Sequence, residues 1–180
     1  EWVEKDEVNP LVIRFDARPT RFIRLAVTRL GLPAPGEGFP QPVSRLQLAE
    51  FQAFADGELA SEGATATASE SLEVPGVWGL DALLDGKLTS EGAPHGYTSE
   101  HRFQQDLDEP IWIEIDLGAV ADVDEVRLYP RTEVLTADGE VPNFPEDFTL
   151  ETKAQAGDEW VLAYEVQGQE RPPAPRVPEA

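Results

Sequence analysis

Apolar residues at every second position, in short runs broken by glycine and proline, most restrict how this chain folds. In Phe22-Ile23-Arg24-Leu25-Ala26-Val27-Thr28, Ile23, Leu25 and Val27 share one face. Ile111, Ile113, Ile115 and Leu117 likewise fall opposite Trp112, Glu114 and Asp116. A period of two belongs to a strand with one buried face, because successive side chains point to opposite sides of a sheet. Further strands are predicted over residues 46–54, 65–69, 123–129, 148–154 and 160–166, with a single short helical turn over 78–84. The 14 Gly and 16 Pro supply the turns between them. Many short strands with such connections give an all-β fold, a sandwich or a barrel.

Three stretches are too long for tight turns, at residues 31–43, 84–110 and 130–145. Long loops on a rigid β scaffold are where binding residues concentrate. One domain is predicted over 1–170, followed by a Pro-rich linker or tail over 171–180. The runs EWVEKDEV at the start and EWVLAYEV near the end are alike, without forming a convincing repeat. The chain has no Met, so it reads as a mature or excised segment.

Charge narrows the partners. With 35 Asp+Glu against 14 Lys+Arg the formal net charge is −21, which repels phosphate backbones and anionic lipid heads. Neither nucleic acid nor membrane is expected as a partner, and no apolar run approaches transmembrane length. There is no Cys and there are only two His, which disfavours zinc. Nucleophile-elbow, zincin and phosphate-loop patterns are all missing, and no carboxylate pair stands out from so many, so no enzyme activity is expected.

The order of the motifs carries a resemblance. The run LAEFQAFADG (48–57) resembles the closing strand of discoidin-like, coagulation-factor type C domains, and ELASEGATATAS (58–69) resembles their opening strand. LDALLDGKLTS and IWIEIDLGAVADVDEVRLYPR resemble the middle of those domains. The closing motif here precedes the opening one, and FIRLAVTRL (22–30) looks like a penultimate strand moved to the front. Either the domain is circularly permuted or the segment joins two half-domains. Permutation is favoured because each expected strand appears once, apart from the repeated EWV run. The wording of FIRLAVTRLGLP, RLQLAEFQ, GYTS, LYPRT and FPEDF is similar to the rhamnose-binding module of bacterial α-L-rhamnosidases.

The resemblance implies a jelly-roll β-sandwich, secreted by a bacterium, that targets a parent glycoside hydrolase to plant polysaccharide through a 6-deoxy sugar, L-rhamnose ahead of fucose. It also implies a structural Ca²⁺, which in turn could touch the sugar. Asp85 and Glu50 would be the carboxylate ligands, with Ala49, Ala82 and Lys87 through carbonyls and Thr89 or Ser90 through a hydroxyl. An EF-hand beginning at Asp81 fails, since Leu83 and Gly92 stand where acidic ligands are required. Arg131 and His95 match the places where fucose-binding lectins of this fold contact sugar. Tyr97 and Trp78 offer stacking rings, while Asn143 and Asp138 lie in the third long loop. Trp112 and Trp160 sit in strand patterns and are expected in the core. Two other roles stay open: an adhesion or phospholipid-binding module, and a structural spacer inside a large glycosidase. The first wants basic loop tips, and these loops are acidic.

Overall fold

The computed structural model describes Trp2 and residues 9–89 and 94–174. Its strands in chain order are β1 (Leu11–Arg29), β2 (Gln47–Leu48), β3 (Glu50–Ala55), β4 (Glu58–Leu59), β5 (Thr65–Ala68), β6 (Tyr97–Thr98), β7 (Asp106–Tyr129), β8 (Asp147–Lys153) and β9 (Val161–Val166). A 3₁₀ turn at Asp81–Leu83 is the only helical element among the described residues, inside the stretch predicted to be helical. The main sheet runs β4-β3-β7-β1-β8-β9 with β5 added to β7, while β2 and β6 form a separate pair. Every pairing is antiparallel. The fold is therefore all-β and β-sandwich-like.

The architecture turns on two long strands. β1 has 19 residues and β7 has 24, and they pair over both ends with register shifts between Arg14 and Arg18 and between Thr20 and Phe22. The shifts divide their neighbours into two groups. The first half of β1 (Leu11↔Leu128 to Arg14↔Glu125) lies beside the end of β7 that also pairs with β3. The second half (Phe22↔Asp116 to Val27↔Ile111) lies beside the stretch of β7 that pairs with β5, and on its other side pairs with β8. A bulge bends a strand and raises its local twist, which lets one strand serve two sheets. Side chains from both groups meet in one core: Leu11 and Ile13 with Ile23, Leu25 and Val27 from β1, and Ile113 and Ile115 with Val126 and Leu128 from β7.

The two stretches predicted as separate strands, 111–117 and 123–129, are thus two parts of β7. The predicted 46–54 strand is interrupted at Ala49, which divides it into β2 and β3. The first half of β1 escaped prediction because Leu11, Val12 and Ile13 are all buried and show no alternation. Trp112 and Trp160 are corrected. Neither is in the core; they stand half-buried around the Arg24 guanidinium, which lies 5.6 Å and 4.5 Å from their ring centres and pairs with Glu114. Trp112 alternates with Ile111 and Ile113, so its period places it on the outward face, opposite the buried side of the same strand pattern. Of the Pro-rich tail, Arg171 pairs with Glu140 at 2.7 Å, and residues 175–180 lie outside the described residues.

A strand with two different faces makes a measurable prediction. Leu25→Ala, which empties a fully buried site on β1, is expected to cost about 2–5 kcal/mol in chemical denaturation. Thr67→Ala on the exposed side of β5 is expected to stay within about 0.5 kcal/mol. Equal costs would contradict the assignment of faces.

Candidate functional site

The site begins where the 46–54 run breaks. Ala49 donates its N–H to the Tyr129 carbonyl at 2.8 Å, and Glu50 pairs with Tyr129 across the sheet. This register leaves the Glu50 side chain almost wholly buried, at 3% exposure. Its Oε1 accepts the Gly86 N–H at 2.9 Å, while its Oε2 is buried with no hydrogen-bond partner. Burial pushes the Glu50 carboxyl up to about 8, and the neighbouring Asp85 carboxylate pushes the same way, against the Gly86 N–H.

The facing loop is held by local chemistry. Asp85 accepts the N–H of Lys87 through Oδ1 at 2.9 Å, a turn that places Gly86 at φ +83 with its N–H toward Glu50. The far end of the loop returns to the same strand. His95 Nε2 lies 3.1 Å from Asp85 Oδ2, and β6 pairs with β2 through Leu48↔Tyr97 and Gln47↔Thr98. Between them Gly96, at φ +93, passes so close that a Cβ there would sit 2.3 Å from the Leu48 carbonyl oxygen. Only glycine tolerates both that conformation and that approach. The 85–87 turn is thus tied to Glu50 at the start of β3, and residues 96–98 to β2.

A cleft of about 530 Å³ opens beside this tie, with Glu73, Trp78, Ala82, Asp85, Lys87 and His95 among its walls. The Arg131 guanidinium lies 4.1 Å from the Trp78 ring centre and is paired with Glu133. At 7% exposure it supports the indole, and its Nε and Nη2 donate to Glu133. Burial pulls its pKa below the ordinary arginine value, opposed by Glu133. Glu73 fixes the approach to the 3₁₀ turn, its Oε1 accepting the Leu80 N–H at 3.2 Å and the Ser71 hydroxyl at 3.1 Å.

The fold brings together Trp78, His95, Asp85, Ala82 and Lys87 around the cleft, with Arg131 against Trp78 and Glu50 behind Asp85. Other expected residues fall elsewhere. Tyr97 is completely buried, with its hydroxyl donating to the Glu70 carbonyl at 2.8 Å, so it offers no face to a ligand. Asn143 is also buried, at φ +65, where its amide joins the Arg45 N–H and the Gln47 side chain. It organises the loop and does not meet the cleft. Asp138 is exposed in the turn closed by Thr136 and Glu140. Thr89 is exposed, and Ser90 lies outside the described residues. No three acidic or histidine side chains converge as a metal site among the described residues. A cation at Glu50 and Asp85 would therefore draw its other ligands mainly from backbone carbonyls. Sequence reasoning missed Glu73, one acid among 35 with no pattern to mark it.

The raised Glu50 carboxyl has a sign in pH. The folded chain keeps a proton that the unfolded chain gives up near 4.5, so stability falls as pH rises from about 4.5 to about 8 and then levels. In chelator, Glu50→Gln is expected to remove that component, which is limited to about 1.4 kcal/mol per pH unit. Parallel stability profiles for the wild type and the variant would contradict it. Comparisons with protein-family models, with curated proteins and with solved structures gave no match to this chain.

Proposed function

We propose that this chain is a non-catalytic carbohydrate-binding module that takes a 6-deoxy sugar, L-rhamnose ahead of fucose, in the cleft beside Trp78. The observation that carries this is the indole held by Arg131 at 4.1 Å in the same cleft as His95, Asp85 and Lys87. A sugar ring needs a flat apolar surface with donors and acceptors at its edge, and a deoxy sugar offers its methyl edge to the indole. In this proposal the fold is a circularly permuted, discoidin-like jelly roll serving a secreted bacterial glycosidase such as an α-L-rhamnosidase. Both ends of the described chain reach the 140–144 loop, Trp2 through Phe144 at 5.2 Å and Arg171 through Glu140, as permutation or insertion requires. Net charge of −21 speaks against the phospholipid-binding alternative.

The same proposal includes calcium. Glu50 Oε2, buried and unpartnered beside Asp85, is the kind of hard oxygen a divalent cation satisfies. Glu50 and Asp85 would supply carboxylates, Ala49, Ala82 and Lys87 carbonyls, and Thr89 or Ser90 a hydroxyl. Bound there, the ion would offset the two neighbouring negative charges. Glu50 holds the Gly86 turn against β3, and Asp85 orients His95 toward the cleft.

Titration with L-rhamnose in Ca²⁺ tests the proposal. A single-sugar site of this size is expected to bind with Kd on the order of 10⁻⁴ M. Trp78→Ala should weaken it by at least about tenfold, and EDTA should lower both the affinity and the melting temperature. Arg131→Ala should lose stability together with binding, because it leaves Glu133 without its partner. Absence of L-rhamnose and L-fucose binding, or full affinity in Trp78→Ala, would refute the sugar site. Identical melting with and without EDTA would refute the ion.

A further inference from the structure

Arg45 is a charged side chain that the fold leaves without an acceptor. Every other described arginine has one. Arg14, Arg21, Arg24, Arg29, Arg102, Arg127, Arg131 and Arg171 pair with carboxylates, and Arg18 donates to the Leu162 carbonyl at 3.1 Å. With 35 acidic residues against 14 basic ones, a partner for Arg45 would be easy to supply. The Arg45 guanidinium instead lies 5.8 Å from the Phe39 ring centre, and only its backbone N–H is bonded, to Asn143 Oδ1 at 3.1 Å. A half-buried guanidinium stacked on a ring but without an acceptor keeps its donors unused, an arrangement that favours an anionic ligand.

We infer that Arg45 binds the carboxylate of an acidic sugar, a uronic acid residue, on the flank of the Trp78 cleft. This rests on the carbohydrate reading above and specifies the class of glycan. Position supports it. Arg45 leads into β2 and β3, and β3 pairs with the end of β7 from which Arg131 follows. Burial lowers the Arg131 pKa, and Arg45 lies near enough for its charge to add to that lowering. A platform stands beside it: Phe39 packs on His101 at 4.3 Å, and Phe103 packs on His101 at 5.4 Å while remaining 54% exposed. The half-buried Phe39 ring beside the guanidinium, continued by His101 to the exposed Phe103, matches a sugar ring bearing a carboxylate. The charge on the rest of the molecule limits the ligand, because net −21 repels polyanions such as nucleic acid while tolerating an isolated carboxylate in contact with Arg45.

The test compares D-glucuronic and D-galacturonic acid with D-glucose and D-galactose at neutral pH, with L-rhamnose titrated in parallel. The uronic acids are expected to bind at least about tenfold tighter than their neutral counterparts. Arg45→Gln should abolish that preference, keep L-rhamnose affinity within about twofold and leave the melting temperature nearly unchanged; Arg45→Lys should keep part of the preference. Equal binding of acidic and neutral sugars, or an undiminished preference in Arg45→Gln, overturns the inference. So does tighter binding of an Asp/Glu-rich peptide through Arg45, which would make the partner a protein. If L-rhamnose binds but the preference is missing, this inference fails and the cleft reading stands. If uronic acids bind through Arg45 while L-rhamnose does not bind, the reverse holds.

Discussion

Strands of 19 and 24 residues cannot stay flat and paired from end to end, because each strand twists about its own axis and the twist accumulates. β1 and β7 resolve this by breaking register near Arg14–Arg18 and Thr20–Phe22 and resuming beyond. The other strands of the main sheet attach to one side of those breaks or the other, β3 and β4 at one end and β5, β8 and β9 at the other, while β2 and β6 pair apart. Because the same two strands enter both groups, the buried faces of both meet in one core. The end of β7 then fixes β3, and β3 fixes Glu50.

From Glu50 outward the organisation is electrostatic. A carboxylate placed in a core position by strand register is costly to ionise, and the fold gives it one N–H, from Gly86, in return. That bond, with the Asp85 backbone beside it, joins the 85–87 turn to the sheet. Asp85, beside it, reaches His95, and Gly96 brings the chain back against Leu48. Trp78 is held separately, by Arg131 from the end of β7. Two independent anchors on neighbouring strands therefore shape one cleft.

The strands with a clean period of two were legible, since Ile23, Leu25 and Val27 alternate and are all buried. The first half of β1 was not, because a run buried on both sides has no period to read. Trp112 and Trp160 misled because they sit in strand patterns: each lies half-buried against Arg24, a contact that needs strand register to foresee. Within the site, the sequence paired Asp85 with Glu50 and grouped His95 with Trp78, and the fold sets Asp85 beside Glu50 and His95 with Trp78 in the same cleft. Tyr97 and Asn143 lie close by in sequence or loop, yet their side chains turn inward, a fact set by β6 pairing and by the positive φ of Asn143. Arg45 gave no signal at all. Its distinction is the missing acceptor, which exists only once every other arginine has found its own.

The account's central claim is that ligand meets protein at the Trp78 cleft and not on the outward sheet face, where Trp112 and Trp160 also present indoles. Nuclear magnetic resonance with L-rhamnose in Ca²⁺ separates the two directly, because each of the four tryptophans has its own indole N–H signal. The account predicts shifts at the Trp78 indole and the His95 ring, with Trp112 and Trp160 unmoved. Shifts concentrated at Trp112 and Trp160, or none at Trp78 under saturating sugar, would contradict it.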